Sequence, residues 1–156
     1  MGHPLLDLRD KTAVVIGGTS GIGFALAREL ARAGADVVPT GRRAELARKA
    51  ADEVAAYSAS KAGVAALTKT LAIEWASSGV CVNALVPGVL RTDLNAGLLD
   101  GTERGREFLL RTPMKRYGKV EELGGAAVFL ASDAASFVTG HLLVVDGGFL
   151  ASGVNQ

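Results

Sequence analysis

The sequence is poor in cysteine, histidine and aromatic side chains. Its 156 residues contain one cysteine, Cys81, and two histidines, His3 and His141, and aromatic residues make up 5% of the chain. A single thiol excludes internal disulfides and thiolate zinc clusters. Two histidines also argue against a histidine-ligated metal ion. We therefore expect no metal centre.

Neither sign of charge dominates, and long apolar runs are absent. The 17 Lys and Arg residues nearly balance the 16 Asp and Glu residues, for a net charge of +1. Such a chain has no basic face to attract nucleic acid. No stretch approaches the roughly 20 apolar residues of a membrane span, and residues 1–11 lack the pattern of a signal peptide. The default expectation is therefore a cytoplasmic protein without nucleic-acid or membrane partners.

What the sequence does contain is glycine and small aliphatic residues. Hydrophobic residues make up 49% of the chain, charged residues 21%, and 20 residues are glycine. This balance is typical of an α/β protein. The length suits one domain over residues 1–156.

A strand, a glycine-rich turn, a helix and a second strand follow one another at the start. Residues 12–16 (TAVVI) predict a fully buried strand, the run after the turn has an amphipathic helical pattern, and residues 35–40 predict the second strand. Glycines allow a pyrophosphate to approach the backbone, and a helix N-terminus offers unpaired N–H groups. The simpler alternative is a tight turn whose glycines serve packing and bind no nucleotide. The predicted cofactor contacts are Gly17, Thr19, Ser20, Gly21, Ile22 and Gly23.

The end of the second strand indicates which dinucleotide is preferred. An acidic residue there would bind the ribose 2′-hydroxyl, whereas an arginine suits a 2′-phosphate. The chain carries Arg42 and Arg43 after Gly41, with no carboxylate at that end. The residues therefore favour NADP(H) over NAD(H). The alternative is that both arginines are solvent-exposed residues at the start of a helix, with no role in binding.

Tyr57 and Lys61 are spaced by four residues, which places them on one face of a helix. A nearby ammonium favours the phenolate, as a general acid–base near neutral pH requires. Taken alone, this spacing fits a surface pair equally well. The helical pattern from 44 to 78 is also unusually long for such a domain and predicts two helices that join near 54–57.

The next strand is predicted at 80–86 and ends at Pro87 and Gly88. Ligands bind at the carboxyl ends of strands in open α/β sheets, so the following residues join the predicted site. Cys81, inside this strand, is expected to be a buried apolar filler. Residues 91–119 predict a lid with short helices, 121–132 a helix and 141–145 a fourth strand.

Together, these motifs resemble the short-chain dehydrogenase/reductase family. The resemblance rests on the glycine turn, YSASK, NALVPGVLRT and FVTGHLLVVDGG. It implies a Rossmann-like parallel sheet with flanking helices, and it makes Tyr57 the acid–base and Lys61 a contact to the nicotinamide ribose. It also places the cofactor against the strand exit, with contacts from Pro87, Gly88, Leu90 and Thr92.

The implied reaction is hydride transfer between NAD(P) and a secondary alcohol or ketone. The C-terminal half is similar to gluconate 5-dehydrogenases and other sugar dehydrogenases, and to 3-oxoacyl-carrier-protein reductases. We therefore expect a sugar, sugar-acid or polyol substrate, with a 3-oxoacyl group as the other option. The resemblance also implies a homodimer or homotetramer.

The chain departs from the family pattern by an internal block of about a hundred residues, since members run to roughly 250 residues as one domain. The block would hold three strands, an Asn-Asn-Ala-Gly strand end and the catalytic serine, and residues 41–56 contain no serine or threonine. In the family's numbering of seven strands, the remaining sheet order would be 2-1-6-7. The strands that normally lie between 1 and 6 would be absent. A collapsed four-strand sheet, a swapped oligomer and an incomplete sequence are three ways to account for this.

Two functional alternatives follow from the missing block. Loss of one oxyanion-type donor costs on the order of 100-fold in rate. The chain would then be a catalytically impaired dinucleotide-binding protein or assembly partner of a full-length relative, or a truncated remnant with no function.

Overall fold

The computed structural model describes residues 4–16, 21–40 and 54–152. Within these ranges, the side chains of Pro4, Ile16, Pro39, Thr40 and residues 54–60 lie outside the description. Two structural units follow each other along the chain. Each contains one pair of parallel strands.

The N-terminal unit consists of β1 (Thr12–Ile16), α1 (Gly21–Arg32) and β2 (Asp36–Thr40). β1 and β2 pair in parallel, with Val14 opposite Val38. Helix α1 connects the strands, as parallel pairing requires a crossover. Gly34 ends this connection at φ 106°, a left-handed backbone conformation that glycine adopts without a steric penalty.

The C-terminal unit begins with the long helix α2 (Val54–Trp75). Its strands, β3 (Ala84–Pro87) and β4 (Leu142–Val145), also pair in parallel. Three helices lie between the strands: α3 (Ala96–Leu99), α4 (Glu103–Arg111) and α5 (Gly124–Ala131). Short 3-10 turns precede β1 (Pro4–Leu6), follow α2 (Ala76–Ser78) and flank α5 (Val120–Leu123 and Asp133–Ala135).

The strands form two separate two-stranded sheets, β1 with β2 and β3 with β4. Parallel strands with flanking helices confirm the predicted Rossmann-like α/β class. Among the described residues, however, no ladder joins β1 to β3, so a continuous four-strand sheet does not form.

Helix packing, rather than strand pairing, joins the two units. Leu8, Leu30 and Ala35 of the N-terminal part form one buried cluster with Ala127 of α5, and Leu85 of β3 packs against this cluster. Gly124, where α5 begins, allows this approach, because a Cβ there would lie 2.5 Å from the Cγ of a glutamate on α1. The shared apolar cluster packs the two units against each other.

The prediction that β1 is fully buried is wrong. Val14 exposes 63% of its surface, and its partner Val38 exposes 49%. A strand is buried on both faces only when helices or other strands cover it. In the described part of the chain, α1 covers one face of this sheet and the other stays open.

The predicted strand at 80–86 begins later than expected, at Ala84, and Cys81 is exposed rather than a buried filler. Side-chain hydrogen bonds replace the ladder before that point. The Asn83 amide donates to the Val138 carbonyl at 2.7 Å, and its oxygen accepts the His141 N–H at 3.0 Å. These two hydrogen bonds hold the segment around Asn83 beside the start of β4 without regular strand pairing.

The remaining elements match the predicted pattern closely. The predicted lid contains α3 and α4, and α5 follows the 3-10 turn Val120–Leu123. In the residues that the structure describes, no helix combines the length and the apolar character needed to cross a bilayer.

Candidate functional site

Helix α1 begins at Gly21, and β1 ends at Ile16. Gly21 opens the helix at φ 54°, and open space surrounds the position that a Cβ would occupy there. Ile22 and Gly23 continue the first turn. The unpaired N–H groups of this turn can therefore meet an anionic ligand. The predicted contacts Gly17, Thr19 and Ser20 fall outside the described residues.

The second predicted segment leaves β3 at its last residue, Pro87. Gly88 then passes so close to β4 that a Cβ would lie 2.6 Å from the Cα of Asp146. The Gly88 N–H also donates to the Val145 carbonyl at 3.0 Å. Only glycine fits this approach, so the strand exit is held at a defined distance from β4.

Asp146 organises the turn that follows β4. One carboxylate oxygen accepts the N–H of Gly148 and the other that of Leu150, each at 2.8 Å. Gly147 and Gly148 adopt positive φ values of 64° and 90°. The carboxylate therefore replaces the backbone partners that the end of the strand would otherwise lack.

The segment after Gly88 is anchored to a second loop. Leu90, 5% exposed, pairs with Gly118 in an isolated parallel bridge. The N–H of Gly118 donates to the Val89 carbonyl at 3.0 Å, and a Cβ at Gly118 would lie 2.5 Å from a methyl group of Leu90. This contact fixes the path of the strand exit.

An ion pair fixes that second loop in turn. The Arg116 guanidinium donates to both oxygens of Glu122, at 2.8 and 2.6 Å. Glu122 also accepts the backbone N–H of Lys119 at 2.7 Å. The guanidinium first, and the backbone N–H second, lower the pKa of Glu122 to about 2. The same carboxylate raises the pKa of Arg116.

These elements surround a cavity of about 400 Å³ at the carboxyl ends of β3 and β4. This is the position where open parallel sheets bind ligands. The lining combines glycines, apolar side chains and the three charged residues that hold the loops. It includes Gly88, Leu90, Met114, Arg116, Asp146 and Gly148.

Thr92 continues the strand exit into the lid. Its N–H donates to the Asn95 side chain at 2.8 Å, and the Asn95 amide donates back to the Leu90 carbonyl at 2.8 Å. Arg91 pairs with Asp100 at the end of α3, and this contact lowers the pKa of Asp100. The lid therefore begins from a segment held by hydrogen bonds.

The predicted acid–base pair lies on α2. The backbone of Tyr57 and Lys61 is helical, which puts both residues on one face, and the Lys61 side chain is exposed. The Tyr57 side chain, Arg42 and Arg43 lie outside the description. Of the predicted contacts at the strand exit, Gly88 and Leu90 line the cavity. The cofactor or catalytic roles of all the predicted residues stay predictions.

Three residues of this site escaped the sequence analysis. Arg116, Glu122 and Asp146 hold the loops around the cavity, and none was predicted to have a functional role. Asp146 did carry a signal, because an aspartate followed by two glycines after a strand is typical of a side-chain-stabilised turn. The sequence contained no signal for the Arg116–Glu122 pair, because two charged residues six positions apart in a loop have no fixed geometry.

Comparison with protein families gives two matches along the chain. Residues 11–56 match the family model described as short chain dehydrogenase, and residues 44–150 match the one described as enoyl-(acyl carrier protein) reductase. The second match alone covers more than half of the chain. The chain belongs to the short-chain dehydrogenase family.

Two of the curated relatives are named for sugar acids. The 2-dehydro-3-deoxy-D-gluconate 5-dehydrogenase of Bacillus subtilis (strain 168) is 49% identical over 98 residues, which are 63% of this chain and 39% of that protein. The gluconate 5-dehydrogenase of Gluconobacter oxydans (strain 621H) is 40% identical over 140 residues, covering 84% of this chain and 51% of that protein. The chain thus spans between two fifths and half of the length of these relatives.

A solved structure supports the same fold. The crystal structure of a proposed NAD(P)-dependent gluconate 5-dehydrogenase from Beutenbergia cavernae, with bound NADP at low occupancy, superposes with a TM-score of 0.83. The alignment is 31% identical and covers 95% of this chain and 100% of that chain. The two strand pairs therefore keep a Rossmann-like arrangement although the sequence is much shorter than the curated relatives.

Proposed function

We propose that this chain binds NADP(H) and interconverts a secondary alcohol and a ketone of a sugar acid or a related polyol. The observation that carries the proposal is the position of the cavity. It lies at the carboxyl ends of β3 and β4, and Gly88 and Leu90 line it. The family resemblance assigns both residues to the cofactor site, and Leu90 to the nicotinamide end.

The residues present fit a dinucleotide at two points. Open space lies around Gly21 at the start of α1, so a phosphate group can reach the N–H groups of the first turn. The cavity of about 400 Å³ beside Gly88 accepts the other end of the cofactor. Arg42 and Arg43, just after β2, are the predicted partners of a 2′-phosphate, which is why we favour NADP(H).

When bound, the nicotinamide would supply or accept the hydride. The chain itself would handle the proton. In the proposed mechanism, the Tyr57 hydroxyl gives its proton to the substrate oxygen during reduction and takes it back during oxidation. Lys61, one helical turn later on the same face of α2, favours the phenolate form by its positive charge. Both residues lie on one rigid helix, so their spacing needs no loop movement.

The substrate class follows from the relatives and from charge. The two curated relatives described above are named for a gluconate or a deoxygluconate derivative. Arg104, Arg106 and Arg111 lie on α4, in the predicted lid. An arginine on that helix suits a substrate carboxylate. We therefore place sugar acids before 3-oxoacyl substrates.

A second candidate is a dinucleotide-binding protein with little or no turnover. Residues 41–56 contain no serine or threonine, so the family's catalytic serine has no counterpart before Tyr57. The chain also spans only 39% of the Bacillus relative. In this reading it binds NADP(H) alone or assembles with a full-length relative.

The deciding experiment measures binding and turnover on one sample. We expect calorimetry to show NADPH binding more tightly than NADH, and NADPH absorbance to fall when a 5-ketogluconate is added. Binding without turnover on sugar acids, polyols and 3-oxoacyl compounds would select the second candidate. Absence of binding to either cofactor would overturn both.

Two variants test the residue roles. Arg42→Ala should reduce the preference for NADPH over NADH, whereas Arg106→Ala, on the exposed lid helix, should leave that preference unchanged. Tyr57→Phe should abolish turnover while cofactor affinity stays the same. If Tyr57→Phe retains full turnover, another residue moves the proton.

A further inference from the structure

The lid helix α4 meets the turn after β4 through a guanidinium and two aromatic rings. The guanidinium of Arg111 lies over the ring of Phe149, with 4.8 Å between its central carbon and the ring centroid. The ring of Phe108, also on α4, lies 6.4 Å from that of Phe149, centroid to centroid, at an interplanar angle of 52°. Arg111 ends α4, and Phe149 directly follows Gly148 of the turn. This contact therefore ties the last turn of the lid helix to the end of β4.

The chain that leads from α4 to the cavity runs along the same turn. The Met114 N–H donates to the Gly147 carbonyl at 3.2 Å. A Cβ at Gly147 would lie 3.0 Å from the methyl carbon of Thr112, the residue that follows α4. Met114, Gly147 and Gly148 all line the cavity at the ends of β3 and β4. Arg111 therefore lies beside the rim of this cavity.

Two other arginines near the strand exit have their donors occupied. The Arg116 guanidinium donates to both carboxylate oxygens of Glu122, and the Arg91 guanidinium donates to both of Asp100. In the described part of the chain, the Arg111 guanidinium makes no such hydrogen bond. Its N–H groups can therefore meet the oxygens of a ligand.

The contact with Phe149 prepares Arg111 for an anion. A guanidinium over an aromatic face still directs its N–H groups outward in its own plane. The contact restricts the side chain before a ligand arrives, so less conformational entropy is lost on binding. The planar fork of donors matches the two oxygens of a carboxylate. Arg111 thus combines unused donors with a restricted position.

The other two arginines of α4 lack this arrangement. Arg104 lies 5.7 Å from the ring of Phe108, which belongs to the same helix, so this contact does not tie it to β4. Arg106 is exposed, and at 3.6 residues per turn it lies on the side of α4 opposite Phe108 and Arg111. Among the arginines of the lid helix, the contacts of the described residues therefore single out Arg111.

The charges around Arg111 favour an anion at this end of the helix. The Lys115 ammonium donates to the Leu110 carbonyl at 2.9 Å and offsets the partial negative charge of the helix C-terminus. The Glu107 carboxylate lies 3.8 Å from the Arg111 guanidinium, which is longer than a hydrogen bond, and both side chains are exposed. Such an exposed pair is weak and leaves Arg111 open to a competing carboxylate.

We infer that Arg111 binds the carboxylate of an open-chain sugar acid and sets the preference for that acid over a neutral polyol of the same length. Phe149 is a positioning residue, because it acts through Arg111. The inference rests on the proposed function and narrows it to one side chain: with its carboxylate at the rim, the rest of the ligand extends towards the cavity.

Calorimetry on the NADPH-loaded protein tests the inference. D-gluconate and D-glucitol are the two probes, since both have six carbons and only gluconate is charged. Both probes are already reduced, so NADPH transfers no hydride to them during the titration. Arg111→Met keeps the length of the side chain and removes its charge and donors, and Arg106→Met is the matched control on the same helix. Circular dichroism will verify that both variants fold.

We expect Arg111→Met to weaken gluconate binding about ten-fold, because charge-assisted hydrogen bonds are lost. The same variant should leave glucitol binding and NADPH affinity unchanged. Arg106→Met should bind both probes as the wild type does. Equal weakening of gluconate and glucitol by Arg111→Met would reveal a structural role, and equal weakening of gluconate by both variants would reveal general charge attraction. Either result would overturn the inference.

Two further variants separate recognition from structure. Phe149→Leu should weaken gluconate binding about three-fold and spare glucitol, because Arg111 loses its ring contact. Phe137→Leu, at a fully exposed ring, should have no effect. Glu107→Gln should strengthen gluconate binding, because it removes the competing carboxylate. Unchanged gluconate binding in both Phe149→Leu and Glu107→Gln would contradict the assignment of Arg111.

The same titrations distinguish this inference from the proposed function. A wild-type protein that binds NADPH but does not prefer gluconate to glucitol would overturn the inference alone. A wild-type chain that binds neither NADPH nor NADH would overturn the proposed function. Gluconate is then titrated into the cofactor-free chain: a preference over glucitol that Arg111→Met abolishes would support the carboxylate site, and no preference would overturn it.

Discussion

The two strand pairs of this protein are stabilised by different means. The N-terminal pair relies on a regular backbone ladder of five residues and on the apolar stripe of α1, and it leaves Val14 and Val38 exposed. The C-terminal pair has ladders of only four residues. There, the side chains of Asp146 and Glu122 hold the loops, and Gly88 passes within contact distance of β4.

This difference explains where the candidate site lies. A ligand cavity requires loops held in a defined place at the ends of strands, and polar side chains provide this where the ladder ends. The N-terminal pair provides a helix N-terminus and an open strand edge instead. One unit therefore carries the proposed phosphate position, and the other carries the cavity proposed for the rest of the cofactor.

The substitution with the largest expected loss of stability tests whether the two units unfold together. Leu8 is fully buried in the cluster that contains Ala127 of α5. Leu8→Ala should lower the free energy of unfolding by about 2–4 kcal/mol, because it removes apolar contacts and leaves a cavity. Urea unfolding followed by circular dichroism and by Trp75 fluorescence should give the same lowered midpoint.

The control for this variant is Leu94→Ala, since Leu94 is 90% exposed and should change the midpoint little. If Leu8→Ala moves the circular dichroism transition and leaves the Trp75 transition in place, the units unfold separately. The protein would then consist of two domains that fold independently.

The next largest loss of stability is expected where Gly88 approaches the backbone of Asp146 in the C-terminal unit. Gly88→Val should cost about 2 kcal/mol or more, because its Cβ would lie 2.6 Å from the Cα of Asp146 and backbone cannot move aside as a flexible side chain can. Thermal unfolding measures the loss. Gly97→Ala, at a helical position with open space, should keep or slightly raise stability. Equal losses in both variants would contradict the proposed contact.

A smaller effect is expected at the turn after β4. Asp146→Ala removes the acceptor of two backbone N–H groups and should cost about 1–2 kcal/mol. Asp93→Ala, at an exposed aspartate, serves as the control for the loss of one charge. Amide exchange should accelerate at Gly148 and Leu150 in the Asp146 variant alone. Unchanged exchange at those two amides would show that the carboxylate is dispensable.

The smallest effect depends on pH. The folded-state pKa of Glu122, about 2, lies below its usual value of 4.5. The contribution of Glu122 to stability is therefore fully present above about pH 4.5 and is lost as the pH falls towards 2. The difference in urea midpoint between the wild type and Glu122→Gln should be greatest near neutral pH and should shrink as the pH falls through this window.

Glu103→Gln removes the same formal charge away from Arg116 and corrects for the change in net charge. A difference between wild type and Glu122→Gln that stays constant from pH 7 to about pH 2, after this correction, would contradict the assigned ion pair. Because both partners are at the surface, the whole effect should be modest and should weaken in salt.

Several elements could be predicted from sequence because their signals are local. The order of β1, α1 and β2 follows from a β-branched run, a glycine turn and an amphipathic stripe. Gly34 and the turn at Asp146 are also visible as short patterns. The contacts of Gly88 and Leu90 were expected from their place after a strand, and the structure does bring them to one cavity.

Other features depend on contacts between distant residues. Cys81 lies in an apolar run, yet it is exposed because the Asn83 side chain, and not a ladder, pairs the segment with residues 138 and 141. The exposure of Val14 depends on what lies beside β1, and five residues of strand sequence do not reveal that. The Arg116–Glu122 pair exists because the loop around Gly118 folds back on Leu90.

By itself, the sequence determined the family, the α/β class and the residues at the strand ends, since each depends on short motifs and on spacing along the chain. Only the tertiary structure decided that the strands form two sheets and that α1 and α5 join them. The physical reason is that strand pairing and burial are set by which surfaces meet. In this chain the apolar surfaces of two helices meet, while the inner strand edges stay apart.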